Sequence, residues 1–480
     1  MASSTNGPAS PVMSCLLLGE EPLLIRCAEV LRERGGQGWR IVGIVTQAPA
    51  IRHWALKNDV PVVERDQYGA VLEREPVDVL FSITHPALIA PTHLSKARIA
   101  AINYHDGPLP KYAGMNGSTW ALMNGEHKHA VVWHHLTAGL DAGDVLERRD
   151  VELHPRETSV SLNMGNSVRA LESFKSVVDR ISKRDLAGVP QRHDVERTVF
   201  SRHDRPAAMC VIDLARPAAE IDRLVRACEF GPYTNRFGAA KLMHGDRAVI
   251  VREASVEASL AAPLAAGAGP GTVLSIDDDG IVIAVGSGAL RGKRFTALSG
   301  APLTCAQAAA ALSLRVGDVA HAPLTRGPDT DALSRQLASA EPRLLAALAR
   351  RALPSLPFAT SSSSSSSPSV PVPLPAPFLA RFADRWADAV GALFTFTLSC
   401  LVRDDSFDVA YVDAEARGRG ALGAARGLLF PSIPLRTDID VALDFPAHLG
   451  KHALALAQAH DAPAFLTDLI ARHPSLREQA

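Results

Sequence analysis

An amide, an imidazole and a carboxylate fall within one stretch of this chain, residues 101–144, which reads AINYHDGPLPKYAGMNGSTWALMNGEHKHAVVWHHLTAGLDAGD. Asn103 and His105 stand two apart, so on an extended segment they share a face. Asp141 lies in a glycine-bracketed turn, Gly139-Leu140-Asp141-Ala142-Gly143-Asp144. Together the three suit acyl transfer to an amine. The asparagine can donate an N–H to a carbonyl oxygen that gains negative charge under attack. The histidine can bind the same oxygen or exchange a proton with the amine. The aspartate can hold the imidazole in one orientation and stabilise its charged form. No serine or cysteine nucleophile is evident beside them, which points to direct transfer rather than a covalent acyl-enzyme. Residue types alone favour a plainer reading: a turn-capping asparagine, a satisfied half-buried histidine and a turn aspartate.

The elements that must position these groups can be read from periodicity. Residues 12–18 form an apolar run ending at Gly19, which predicts a buried first strand. Pro22 opens a helix to residue 34 with Leu23, Leu24, Cys27, Val30 and Leu31 on one face. Strands are predicted at 40–46, 60–63 and 78–82, with a short helix at 51–58. The critical stretch supplies a strand ending at His105, a Gly/Pro loop, a helix at 118–124 and a strand at 130–136. A further strand at 145–153 and a long helix at 160–186 complete the pattern. Such alternation predicts an α/β fold with a doubly wound, parallel-rich sheet, whose chemistry sits at strand ends and loops. Gly19 is not part of a GxGxxG fingerprint, so no dinucleotide is indicated.

Asn-x-His, a Pro-containing loop and then Gly-Leu-Asp-x-Gly-Asp, with positions 103 and 141 being 38 apart, resemble the signature of the 10-formyltetrahydrofolate-dependent formyltransferases (methionyl-tRNA formyltransferase-like). The resemblance covers about residues 12–325. It implies that Asn103, His105 and Asp141 are the catalytic trio and that 10-formyltetrahydrofolate is the formyl donor. It places Gly107, Pro108, Leu109 and Pro110 in the loop beside the folate, and Ala87, Leu88 and Ile89 with Thr137, Ala138, Gly139 and Leu140 around the pterin. It also implies a Rossmann-like catalytic domain followed by a small OB-like β-barrel. Gly107-Pro108 stands where the family commonly has Ser-Leu, and Ala113 where arginine is frequent. Those departures leave the transfer chemistry intact and bear on the acceptor.

The remaining organisation follows from composition. A basic stretch at 183–205 leads out of residues 12–200, the expected catalytic domain. Alternating runs at 241–243, 247–251, 271–276 and 280–285 predict the small β-barrel domain, residues 204–325. A helix at 333–353 precedes seven consecutive serines, 361–367, and then Pro368, Pro371, Pro373, Pro375 and Pro377, so 326–377 reads as a helix plus linker. Residues 378–480 form an expected separate α+β piece with helices at 378–401 and 447–460. This piece loosely resembles part of a nonribosomal peptide synthetase condensation domain without its His-His-x-x-x-Asp-Gly motif, which implies a noncatalytic remnant.

Net charge is −1 and the pI near 7.0, so no electrostatic footprint for nucleic acid is visible. Six scattered cysteines without paired spacing read as reduced thiols of a cytoplasmic protein. The polar N-terminus is not a signal peptide, and no uncharged apolar run reaches the length of a membrane span. His127, His129, His134 and His135 crowd one hairpin, but no cysteine or carboxylate stands at ligand spacing, so no metal is expected.

The acceptor amine separates the family's members. Formylation of methionyl-tRNA needs phosphate affinity, and the family's tRNA-modifying members carry a basic insertion where residues 47–62 here hold only Arg52, His53 and Lys57. A sugar-nucleotide acceptor needs a second phosphate element, and none is recognisable. The wording NYHDGPLPKYAG, with Trp120 and Trp133, looks most like the formylation domains that initiate nonribosomal peptides, which implies an aminoacyl group on a carrier protein or peptide synthetase as acceptor. The alternatives are a methionyl-tRNA or sugar-amine formyltransferase, or a catalytically silent scaffold for a peptide synthetase.

Overall fold

Met13–Leu18 (β1) is buried at every position, as a strand flanked by neighbours on both edges and covered on both faces must be. The computed structural model describes residues 12–34, 38–257, 268–356, 371–413, 420–461 and 464–477. They fall into two units, one running up to Arg202 and including Asp222–Gly231, the other comprising His203–Ile221 and Pro232 onward.

In the first unit β1 is followed by α1 (Leu23–Glu33), β2 (Trp39–Val45), α2 (Pro49–Lys57), β3 (Val62–Val63), α3 (Tyr68–Arg74), β4 (Val79–Ile83), α4 (Pro91–Leu94) and β5 (Ala100–His105). Then come β6 (Ala113–Gly114), α5 (Gly117–Met123), β7 (Lys128–His135), β8 (Val145–Glu152), α6 (Ser159–Ser182) and β9 (Val199–Phe200). The seven-stranded sheet has the order β3-β2-β1-β4-β5-β7-β8. Alternate residues of the central strands feed two cores. Cys15, Leu17, Val79 and Phe81 pack with Phe174, Val177 and Ile181 of α6, whereas Leu16, Leu18 and Leu80 pack with Tyr68 and Leu72 of α3. That two-sided burial is why β1 reads as a continuous apolar run.

β7 and β8 run antiparallel to their neighbours, a departure from a wholly parallel sheet. The reason lies between β5 and β7. The seven residues of α5 rise only about 10 Å, whereas returning along the eight residues of β7 takes about 26 Å. The chain therefore re-enters the sheet from the carboxyl end of β5. α6 starts at a capping box, with Ser161 N donating to Thr158 Oγ1 (3.3 Å) and Thr158 N to Ser161 Oγ (2.9 Å). It stops at Ser182, short of the expected 186, and Arg184 turns into the left-handed region.

α7 (Ala218–Ala227) is divided between the two units. The second unit holds an antiparallel sheet of β10 (Lys241–His244), β11 (Arg247–Val256), β12 (Val273–Asp277), β13 (Gly280–Ala284), β14 (Ala289–Thr296) and β15 (Pro302–Leu303). Its order is β10-β11-β14-β13-β12, with β15 on β14, and α8 (Cys305–Leu312) and α9 (Pro328–Ala349) follow. The seven serines at 361–367 lie outside the described residues. Residues beyond the linker, expected as a piece of their own, group with this sheet. A buried ionic cluster joins them: Asp468 pairs with Lys241 (2.5 Å) and Arg472 (3.1 Å), and Arg472 also pairs with Glu341 of α9.

The helix expected at 378–401 is broken into α10 (Ala376–Phe382) and α11 (Trp386–Val402), with Ala383 at φ +39° between them. By length and composition an 18-residue window within Ala376–Val402, of mean hydropathy 1.2, passes for a membrane span, though it includes the charged Asp388 and is not an uncharged run. Arg381, Asp384, Arg385 and Asp388 sit in or beside its break.

Candidate active site

β5 ends in Asn103, Tyr104 and His105, and β7 lies beside it with Asn103 opposite His134 in the register. Cross-strand partners share a face of the sheet, so an asparagine and a histidine 31 residues apart in sequence meet. Asn103 Nδ2 lies 3.1 Å from His134 Nε2. Loop 137–144 then folds back over them. It brings Asp141 Oδ1 to 3.5 Å from His134 Nε2 and Asp141 Oδ2 to 3.6 Å from His105 Nδ1. The expected trio thus converges, with His134 as a fourth member.

Protonation states follow from the carbonyl partners. His105 Nε2 donates to the Tyr112 carbonyl (2.8 Å), so in the neutral ring Nδ1 is the basic nitrogen, and a proton taken there faces Asp141. His134 Nδ1 donates to the His135 carbonyl (2.9 Å), so Nε2 of the neutral ring accepts from the Asn103 amide. A protonated His134 would donate to Asp141 instead, and the Asn103 amide group would be free to turn outward. His105, His134 and Asp141 have side chains only 4%, 1% and 10% exposed.

Burial works to raise the Asp141 pKa. When their rings are protonated, His134 by a hydrogen bond and His105 by its charge join the Gly114 N–H (2.8 Å) in outweighing it and hold the carboxyl at about 2. Asp141 is a fixed anion at working pH, suited to stabilising an imidazolium and unsuited to acting as an acid.

The loop residues expected around the donor divide by exposure. Leu88 is 77% exposed and Leu140 38%, large apolar side chains left open to solvent. Thr137, Ala138 and Gly139 are exposed, Ala87 and Pro108 half-buried, and Ile89, Gly107, Leu109 and Pro110 buried. Gly107 has a packing reason: a Cβ there would sit 2.7 Å from His105 Nε2. Thr84, just before the 87–89 loop, has φ +58°, a strained conformation for a β-branched residue. Next to it, burial and the nearby Arg65 charge hold His85 down at about 4. Nearby, Glu20 gathers Thr46 Oγ1 and the N–H groups of Gln47 and Ala48, and pairs with Arg65 (2.7 Å). In the crowded hairpin, His129 Nε2 lies 3.0 Å from the Asp106 carbonyl.

Sequence reasoning missed His134 as a member of the site and noted it only among the four histidines crowding one hairpin. It also missed Gln191 and Arg197, which bond the backbone of the Asp141 loop. Period-two alternation put His134 on one face of a strand, and only the pairing of β5 with β7 shows whose face that is.

Residues 46–181 match the formyl transferase domain and residues 206–312 the formyl transferase C-terminal domain. The methionyl-tRNA formyltransferase of Burkholderia pseudomallei (strain 668) is 30% identical over 295 residues, 55% of this chain and 84% of that protein. That of Bacillus mycoides (strain KBAB4) is 26% identical over 279 residues, 54% of this chain and 83% of that protein. Among solved structures, the N-formyltransferase from Helicobacter canadensis, in complex with folinic acid and dTDP-3-aminofucose, aligns over 59% of this chain and 99% of its own, with 16% identity and TM-score 0.46. With both domains matched in order and a relative of 30% identity spanned over most of its length, the chain belongs to the formyl transferase family, enzymes that transfer a one-carbon group.

Proposed function

We propose that the protein moves the formyl group of 10-formyltetrahydrofolate to the primary amine of an aminoacyl group carried on a carrier protein, at Asn103, His105 and Asp141. The observation that carries the site is the convergence of these groups, with His134, at the carboxyl end of β5. The exposed Leu88 and Leu140 fit an aromatic donor, which the 87–89 loop and the backbone of 137–140 would hold, with 107–110 supporting His105 from beneath. The bound donor would supply an activated formyl carbonyl.

This chain's own residues supply the rest. The Asn103 amide, once turned from His134, donates to the formyl oxygen as charge develops there. The attacking amine must lose a proton as its bond to the formyl carbon forms, and His105 Nδ1 is the basic nitrogen that can hold it, directly or through one water, and pass it to the donor nitrogen as the bond from that nitrogen to the formyl carbon breaks. The Asp141 carboxylate then faces the imidazolium and offsets its charge. His134 sits between the amide and the carboxylate and keeps both in register.

Two features support the carrier-bound acceptor. β2 passes into α2 through three residues, Thr46–Ala48, which leaves no room for a basic arm to reach tRNA phosphates. The resemblance of residues 378–480 to a condensation domain points to the same assembly. The test is transfer of labelled formyl from 10-formyltetrahydrofolate to three acceptors: an aminoacyl carrier protein, methionyl-tRNA and an amino-sugar nucleotide. The carrier-bound amine should have the highest kcat/KM. Faster formylation of either other acceptor overturns the assignment of acceptor, and no transfer to any of the three overturns the site.

A further inference from the structure

Residues 186–202 carry no recognised motif, yet they touch every loop of the candidate site. His135 Nε2 donates to the Leu186 carbonyl (3.0 Å), and Val189 and Val145 exchange both backbone hydrogen bonds at 2.8 Å. Gln191 Nε2 donates to the carbonyls of Asp141 (2.7 Å) and Gly143 (2.9 Å), which uses both hydrogens of its amide. Arg197 donates to the carbonyls of Leu140 and Asp141. Thr198 accepts from the N–H groups of Tyr112 (2.8 Å) and Ala113 (3.0 Å). The Phe200 ring stacks on Trp120 (4.4 Å, 13°) and on Tyr112 (6.0 Å, 11°), and Arg202 reaches the Pro86 carbonyl.

These contacts converge on Asp141. Its φ is +45°, in the left-handed region that a non-glycine residue keeps only when its surroundings impose it. Residues 137–140 and 142 are exposed, so hydrogen bonds rather than buried apolar contacts fix the loop. Gln191 and Arg197 hold the Asp141 carbonyl. The Gly114 N–H holds its carboxylate, and Gly114 belongs to β6, which pairs with β9 of the same segment. The segment grips the residue at both ends.

We infer that residues 186–202 form a latch that sets the position of Asp141, with Gln191 and Arg197 as positioning residues that act through that carboxylate. The latch rests on the reading of Asp141 as part of the transfer site. Displacing a catalytic group by an ångström costs on the order of 10²-fold in rate. Gln191→Ala, and Gln191→Glu, which keeps the shape and loses the donors, should lower kcat about ten- to a hundred-fold and leave the donor KM near its wild-type value.

The deciding experiment is a double-mutant cycle in single-turnover formyl transfer, with exchange of the Gly114 amide hydrogen measured in parallel. If Gln191 acts through Asp141, its substitution costs less than about two-fold once Asp141→Asn is present. Gly114 exchange should also quicken in Gln191→Ala. The same loss in both backgrounds, a wild-type rate in Gln191→Ala, or unchanged Gly114 exchange overturns the latch. Should Gln191→Ala fail to fold, Arg197→Ala, at an exposed residue, takes its place in the cycle. Quickened Gly114 exchange with undiminished transfer by Asp141→Asn would uphold the latch and overturn the catalytic reading of Asp141.

Discussion

Asp141→Asn removes a charge that the fold goes out of its way to keep. Burial alone would raise the carboxyl's pKa, but in the acid range where it titrates the bond from protonated His134, the charge of protonated His105 and the Gly114 N–H bring it to about 2, against an ordinary 3.8. At 1.36 kcal/mol per pKa unit this gap corresponds to about 2 kcal/mol of stability at neutral pH. The side chain is 10% exposed, so solvent screening takes little from that figure. The folded-state pKa lies below the unfolded one. The contribution is therefore complete above the unfolded value, falls to about half near pH 3, and is gone once pH drops through the folded value. The asparagine variant has no such titration. It should be less stable than wild type by about 2 kcal/mol at pH 7, and the difference should halve by about pH 3. Urea denaturation at pH 7, 5 and 3 measures it, followed by fluorescence, since Trp120 and Trp133 lie in the same unit as Asp141. A stability difference that stays constant from pH 7 to pH 3, or no difference at all, would refute the account of how Asp141 is held.

Leu88→Ser should leave stability within about 0.5 kcal/mol of wild type, because the side chain is already largely in water; the KM for the folate donor should nevertheless rise, and initial-rate kinetics read it. Asp468→Asn should destabilise the second unit by about 3 kcal/mol, since it leaves Lys241 buried without its counter-charge and Arg472 with Glu341 alone. Limited proteolysis within 357–370, followed by size-exclusion chromatography, is the check: the nicked wild-type fragments should co-elute, and those of the variant should separate.

Much of the catalytic unit is legible in the chain itself. Alternating and continuous apolar runs give β1, β2, β4, β5 and their helices, because each signal is local and has the period of its element. The spacing of Asn103, His105 and Asp141 belongs to the same legible part, since a strand and a glycine turn carry them. Other features depended on which elements meet. β7 turned antiparallel because the helix before it is too short to carry the chain back, and that pairing set His134 opposite Asn103. Gln191 and Arg197 sit in a polar stretch without period, and their carbonyl partners, about 50 residues away, leave no trace in local composition. Past the serine run, nothing in the local sequence singles out Asp468 or Arg472. Only the packed structure shows them buried against Lys241 and Glu341, because burying a charge requires a partner and nothing in the order of the chain states who that partner is.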